Sequence, residues 1–560
     1  MEFEERADQL SPEEISTSLA DGEILKKARQ KLLATGAKLL IGPRGTGKTH
    51  LMRYTYSQSL LNKSAPLVLY SSFNRYLHLE PLLKKTPDAL KRFHSWVLAR
   101  ILLSAFDYIN DLSSSGDFLK DIDPIFDESK LRELVSLLER GSGVDLYESY
   151  GQYVTVDHAI KAVRSLTARF NRNRAVLLLD DAALSLSDQY LVAFFEIFRV
   201  LKVEGIAPKA SVYPGTTQYG PTFHASHEVE EVPLWLSVED PAYSTIMGDI
   251  ANRRLTSDQQ KVISPDILEL FKYTAFGIPR VFLRLLREFF SERAGTSQSK
   301  VNKIIDQQVE FIGAEYDSIA LKLKQFSSVI QIGRSFFSNA VVEISELQNK
   351  DLSKRNIVLG ILQSGDRTPL ADRMIRFLIE VGMLFPLQSV SHGQNRKYDR
   401  YIPHLAFLYQ GGAFKEGKRN TFRGLPQLMS AVAAKHPLRR EFKSLLSYRE
   451  LADLKLDLPP CQKCGTQRFN DSQQFCHNCG EPLVGSSLFE ECMKLPLSEV
   501  PGISEALIWR IHQDTKIRSV SDVVISQNAS SELQKANYVG PRRAENIIKK
   551  VELTVEEFLS

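Results

Sequence analysis

Residues 42–49 read GPRGTGKT and fit the spacing G-x-x-x-x-G-K-[ST]. Gly42, Gly45 and Gly47 let backbone N–H groups curl around anionic oxygens without Cβ clashes, and Pro43, Arg44 and Thr46 complete the turn. A helix that starts here offers its positive end to phosphate. Lys48 should reach the β- and γ-phosphates, and Thr49 should bind Mg²⁺. The chemistry expected of the loop is Mg-nucleotide binding. A partner for the metal stands at residues 175–181, AVLLLDD, an apolar run ending in two acids. A carboxylate at the C-terminal end of a buried strand faces the ligand crevice of an α/β sheet. There Asp180 would hold Mg²⁺ through water, and Asp181 would polarise the attacking water. Two further groups are candidates for sensing the γ-phosphate. The first is the hydroxyl pair Thr216 and Thr217, which turn chemistry explains equally well. The second is Arg280, at the start of GIPRVFLRLLRE, where Arg280, Arg284 and Arg287 share one helix face that could equally be a solvated stripe. No guanine-reading N-K-x-D element is present, which favours ATP over GTP.

A second chemistry is written near the C-terminus. CQKC and CHNC give C-x2-C-x11-C-x2-C at Cys461, Cys464, Cys476 and Cys479. Each pair lets two thiolates from one tight turn reach a single ion, and Gly465 and Gly480 permit the turns. Four thiolates at this spacing match a closed tetrahedral Zn²⁺ site, structural rather than catalytic because no position is left open. His477 lies inside a knuckle and is not needed as a ligand. Cys492 is left over as an ordinary thiol.

The elements that must position these groups follow from periodicity. Short apolar runs at 37–41, 66–70, 175–179, 210–213 and 232–236 read as buried strands, separated by helical stretches such as 87–107, 157–170 and 187–203. Strands alternating with helices predict a parallel α/β sheet. From about 240 helices follow one another to about 325. Residues 325–410 read as a small mixed domain: Thr368 caps a helix with Pro369 at its first position, Gly382 ends it, and a hairpin follows. Residues 413–449 are rich in Lys and Arg and read as a basic connector. The 560 residues carry 71 Lys and Arg against 67 Asp and Glu, a net charge of +4, so nucleic-acid binding would have to come from local basic surfaces. The acidic N-terminus lacks a signal-peptide pattern and no apolar run approaches a membrane span, so the expected location is cytoplasmic.

Together GPRGTGKT, LLLDDA, the helical segment beginning GIPR and the helix–hairpin after it resemble an AAA+ ATPase, most like the origin-recognition-complex and replication-initiator group. The resemblance covers about residues 20–410. It implies an α/β P-loop core at 1–238, a helical lid at 239–324 and a winged-helix domain at 325–412, and the residues beyond it extend the multidomain reading with the connector at 413–458, a zinc ribbon at 459–484 and a tail at 490–560. It also implies an ATP-controlled switch that grips DNA, often as an oligomer. Residue by residue, Lys48 and Thr49 match the Walker A pair, Asp180 the Walker B metal ligand and Arg280 the lid arginine. Asp181 stands where the family usually carries Glu, which puts the hydrolysis rate in question.

In the tail, LSEVPGISEALIWRI and LQKANYVGPRRAENIIKK share one plan and resemble two helix-hairpin-helix motifs, whose hairpin N–H groups bind DNA phosphates without reading sequence. Gly502 and Gly540 are the hairpin glycines, and Tyr538 stands where a first glycine is common. Arg542, Arg543, Lys549 and Lys550 give the second copy a basic rim. Arg373, Arg376, Arg396 and Lys397 are the corresponding cations of the winged helix. The expected cofactors are ATP, Mg²⁺ and Zn²⁺. The expected partner is DNA, with a homo-oligomer or protein partners also possible and no membrane. The alternative is a signalling or defence-type switch NTPase whose C-terminal modules bind a protein.

Overall fold

A computed structural model gives the fold. It describes residues 7–559 except 21, 75–78, 80–87, 113–116, 141–143, 182–187, 215–222, 224–227, 293–295, 324–325, 364–366, 394–395, 417–418, 456, 458–460, 462, 467–472, 474, 482, 484–491, 525 and 527. Five parallel strands form the first sheet: β1 (Lys38–Ile41), β2 (Leu67–Ser72), β3 (Ala175–Asp180), β4 (Ile206–Val212) and β5 (Glu230–Pro233). Their order is β2-β3-β4-β1-β5, so β4 separates the strand that leads into residues 42–49 from the strand that ends in Asp180. Because all five run the same way, their C-terminal ends share one edge, and the loop and the acids meet there.

Alternation fixes which residues face which layer. Leu39, Leu67, Leu69, Leu177 and Leu179 share a core with helices Ala89–Asp111, Val156–Arg169 and Asp188–Val200. Leu40, Val68, Val176 and Leu178 join Ala28, Leu32, Leu51 and Met52 from helices Glu23–Leu33 and Lys48–Leu61. Each fully buried leucine of this kind is worth roughly 1.5–3 kcal/mol. A polar exception sits in β4. Lys209 is buried, its ammonium is drawn down to about 7 by that burial, and it donates to the carbonyls of Ala34 (2.7 Å) and Gly36.

Helices Tyr243–Arg254, Pro265–Thr274, Pro279–Ser291 and Ser297–Lys322 follow, and Ser327–Lys350 carries the helical run beyond the expected limit of 325. A second, four-stranded sheet then forms from β6 (Leu359–Leu362), β7 (Leu384–Ser391), β8 (Lys397–Pro403) and β9 (Leu438–Arg440). β6 and β7 pair antiparallel with β8, and β9 pairs parallel with β6. Helix Pro369–Glu380 begins at the Thr368 cap, whose hydroxyl accepts the Ala371 N–H at 3.2 Å.

The basic stretch 413–449 is packed more tightly than its charge suggested. β9 lies within it, and Leu425, Leu428, Met429, Phe442 and Leu445 are buried in the same core as the helices that follow residue 243 and the second sheet. Apolar residues spaced between the cations hold the segment down, while Lys415, Arg423, Lys435, Lys443 and Arg449 are exposed.

In the tail, helices Glu505–Asp514 and Pro541–Leu559 follow hairpins at Gly502 (φ +79°) and Tyr538 (φ +67°). Val500 and Ile503 flank the first turn, Ala536 and Val539 flank the second, and all four are buried. Among the described residues no helix is long and apolar enough to cross a membrane.

Candidate nucleotide site and metal centre

Each glycine of the loop has a separate reason. Gly45 (φ +88°) and Gly47 (φ +93°) adopt the left-handed conformation, which costs other residues roughly 1–2 kcal/mol. A Cβ on Gly42 would lie 2.7 Å from the Thr46 hydroxyl oxygen. Gly47 is also the N-cap of helix Lys48–Leu61 and supplies no side-chain cap, so no N-cap side chain takes up the first N–H groups of that helix. This is a backbone cradle suited to phosphate.

Lys48 is 6% exposed, and its ammonium donates to the carbonyls of Gly42 (2.6 Å) and Pro43 (3.0 Å). It lies 4.1 Å from the centroid of the Tyr213 ring. Burial pulls its pKa down to about 7, opposed by the charges of Asp181 and Asp180. The lysine is therefore held by weak acceptors that a phosphate oxygen can replace.

Asp180 is fully buried at the end of β3. The Tyr70 hydroxyl donates to its Oδ2 at 2.9 Å, and the Ser211 hydroxyl donates to its Oδ1 at 2.7 Å. Ser211 Oγ in turn accepts the Asp181 N–H at 2.8 Å. Burial, then the charges of Asp180 and Asp181, push the Tyr70 phenol well above its usual range, so it stays a donor. Asp181 has φ +52°. Asp tolerates this conformation better than Glu, because its short side chain bonds locally, which gives a backbone reason for Asp at this position.

The start of helix Pro279–Ser291 reaches the loop directly. The Arg280 N–H donates to Gly45 O at 3.2 Å, and a Cβ on Gly45 would lie 2.9 Å from Arg280 Cβ and 3.0 Å from Ile278 Cγ2. Arg280 is among the charges acting on both Lys48 and Tyr213. Of the three arginines on that helix face, Arg280 is brought to the loop. Arg284 bonds Gln308 Oε1 (3.1 Å from Nε) and lies 3.7 Å from the Phe311 ring centroid, while Arg287 pairs with Glu288 at 3.5 Å.

The start of helix Pro279–Ser291 is also tied to the second sheet. Phe276 (φ +54°) and Gly277 (φ +74°) form a left-handed pair just before it. The Trp235 indole N–H donates to Phe276 O at 2.8 Å, and the Gly277 N–H donates to the Tyr243 hydroxyl at 2.8 Å. Trp235 stacks edge-on to Phe385 of β7 at 4.6 Å, and Phe276 lies 4.7 Å from His404, just after β8. Burial holds the His404 imidazole down to about 3, so it is neutral.

The structure thus gathers Gly42, Pro43, Arg44, Gly45, Thr46, Gly47, Lys48, Thr49, Asp180, Asp181 and Arg280 at one edge of the sheet. Thr216 and Thr217 lie outside the described residues. Sequence reasoning missed Tyr70, Ser211 and Tyr213. Their signal was a polar residue near the end of each apolar run, LVLYSS and ASVY, and it became legible only once β2, β3 and β4 were known to be neighbours.

The four cysteines converge as their spacing implied. Their sulfurs all lie within 4.8 Å of one another, with Cys461–Cys479 and Cys464–Cys476 each at 3.5 Å. That is too long for a disulfide and close to the edge of a tetrahedron around Zn²⁺, about 3.8 Å for Zn–S bonds of about 2.3 Å. Gly465 (φ +71°) and Gly480 (φ +72°) make the two turns. The donor set fits zinc.

Among the candidate DNA-facing cations, Arg376, Arg396, Lys397, Arg542 and Arg543 are exposed, whereas Arg373 stacks on Phe377 with 5.0 Å to the ring centroid.

Residues 3–76 match the family model described as ORC-CDC6-like. This segment holds β1 and the whole phosphate loop, so the resemblance seen in the sequence is borne out there. Among solved structures, the chain is similar to the ORC1 protein of Aeropyrum pernix in complex with DNA. That match has 14% identity, covers 72% of this chain and 94% of that one, and has a TM-score of 0.29. A Walker-type ATPase of Pyrococcus abyssi matches with 10% identity, 70% and 95% coverage and a TM-score of 0.36. No curated protein matches the chain.

Proposed function

We propose that this chain, ORC-CDC6-like over its phosphate loop, is an ATP-binding AAA+ ATPase whose nucleotide state governs its engagement of DNA. The observation that carries the reading is the seat of the lid on the loop. Arg280 and Ile278 pack on Gly45, and the turn just before them packs through Trp235 and Phe276 on Phe385 and His404 of the second sheet. A ligand that reshapes the loop must move or brace this seat, and the seat borders the segment proposed as a winged helix.

In this reading, the N–H groups of residues 42–49 bind the phosphates, and Lys48 leaves the Gly42 and Pro43 carbonyls to pair with them. Thr49 and Asp180 hold Mg²⁺, which neutralises phosphate charge when bound. Tyr70 and Ser211 fix the Asp180 carboxylate, and Asp181 orients and takes a proton from the attacking water. Arg280 acts on the γ-phosphate from the lid. Residues 1–238 serve as the ATPase core, 239–324 as the lid, 325–412 as the winged-helix domain with the packed basic segment 413–458 behind it, 459–484 as the zinc ribbon and 490–560 as tandem helix-hairpin-helix motifs.

ATPase turnover with and without DNA, for wild type and Lys48→Ala, tests the catalytic half. Turnover above that of the variant is expected, and equal rates leave a binding switch only. For the DNA half, the salt dependence of affinity should flatten in Arg542→Ala/Arg543→Ala by up to about two counterions. DNA affinity without a salt slope, in wild type and double mutant alike, removes the tail as a DNA clamp and leaves the protein-binding switch.

A further inference from the structure

The two tail turns share a sequence plan in which Gly502 and Tyr538 hold equivalent places. Gly502, in the first, has φ +79°, a conformation glycine adopts freely. Tyr538 occupies the equivalent place in the second and adopts φ +67°, where an aromatic residue is strained. Packing does not explain the strain, because Tyr538 is 76% exposed. The hairpin is nonetheless held in place: the Asn537 N–H donates to Asp514 Oδ2 at 2.8 Å, and Val539 is buried.

One guanidinium faces the ring and another holds the Tyr538 backbone. The Arg510 guanidinium lies 5.0 Å from its centroid, and Arg543 Nη1 donates to the Tyr538 carbonyl at 2.8 Å. Arg542 is exposed, and a Cβ on Gly540 would meet nothing within 4 Å, so the space at that glycine is open. Trp509, next to Arg510 in helix Glu505–Asp514, is a second exposed ring, at 64%.

An exposed ring with guanidinium groups beside it suits a ligand that is both anionic and flat-faced. We infer that Tyr538 is a stacking platform for an unpaired nucleobase, so that the second hairpin binds single-stranded or frayed nucleic acid rather than duplex phosphates alone. This rests on the proposed DNA role of the tail and specifies its substrate. Arginine side chains grip the backbone, and the ring presented by the strained turn takes the base.

The test uses the full chain and two oligonucleotides of equal length, an oligothymidylate and its abasic counterpart, with affinity read by fluorescence anisotropy across a salt series. Wild type should prefer the oligothymidylate by about ten-fold or more. Tyr538→Phe should keep that preference. Tyr538→Gly should abolish it, leave the salt slope unchanged and leave the melting temperature unchanged or higher, because glycine relieves the strain. Equal affinity of wild type for both oligonucleotides with a normal salt slope overturns the stacking role alone. A preference that survives in Tyr538→Gly does the same. An absence of salt-dependent binding to either oligonucleotide overturns both this inference and the DNA reading of the tail.

Discussion

Replacing Gly277 with alanine should unseat the lid from the phosphate loop. Gly277 has φ +74°, and a Cβ there would lie 2.0 Å from the backbone oxygen of Leu236 and 3.0 Å from its carbonyl carbon. Carbon and carbonyl oxygen approach to about 3.3 Å, so roughly 1.3 Å must be opened between two backbone segments. The left-handed conformation costs alanine about 1–2 kcal/mol, and forcing extra volume into a packed site costs about 1–3 kcal/mol more. The total, about 2–5 kcal/mol, falls where Trp235, Phe276 and Tyr243 hold the start of helix Pro279–Ser291. A shift of that size removes the Arg280 N–H from Gly45 O, now at 3.2 Å. Gly36→Ala is the matched control: its φ is +76°, but a Cβ there meets nothing within 4 Å, so it carries the conformational cost without the collision. Thermal melts and fluorescent ATP-analogue titrations should show Gly277→Ala less stable than Gly36→Ala, with nucleotide affinity lowered about ten-fold or more, and Gly36→Ala binding like wild type. If the two variants melt together and bind alike, the lid seat does not couple to the loop.

Nucleotide binding should take up a proton at Lys48. The free side chain titrates at about 7 because it is buried, and a bound polyphosphate restores its charge. At pH 8 the uptake is about 0.9 proton per nucleotide, and affinity should fall about ten-fold per pH unit above that. Calorimetric heats that do not depend on the buffer's ionisation enthalpy at pH 8 would refute this. Without ligand the same lysine makes stability rise with pH from about 7 to 10.5, because the unfolded chain binds the extra proton in that window. Asp181→Asn should keep the fold and nucleotide affinity, since Asn also accepts φ +52°, and lower turnover about 100-fold or more. Unchanged turnover would remove Asp181 from the chemistry. A thiol-modifying reagent should release one zinc per chain, counted by a colorimetric chelator. Cys464→Ser should retain well under that amount and still bind nucleotide, whereas full zinc content in the variant would refute the four-thiolate site.

The phosphate loop and the cysteine knuckles were legible in the sequence because their geometry is local: a few glycines and fixed spacings determine the turn. Asp180 was legible because an apolar run that stops at an acid marks the end of a buried strand. Tyr70 and Ser211 were not, because their partner lies on a neighbouring strand and only the order β2-β3-β4 brings them to the carboxylate. The three arginines at 280, 284 and 287 share a face by spacing alone, yet Gln308 and Phe311 on the next helix draw Arg284 away. Sequence reasoning took residues 413–449 for a connector because charge dominated the reading. Buried Leu425, Met429, Phe442 and the pairing of Leu438–Arg440 with β6 place that stretch in a core. The seat formed by Trp235, Phe276, Phe385 and His404 joins residues far apart in the chain, and no local pattern announced it.

The central claim, that the nucleotide held at residues 42–49 governs DNA engagement, is tested most directly by one equilibrium measurement. DNA affinity is compared in ATP, in ADP and without nucleotide, for wild type and for Lys48→Ala. Wild-type affinities should differ by about five-fold or more between nucleotide states and collapse to a single value in the variant. Wild-type DNA affinity that is the same in all three states would contradict it.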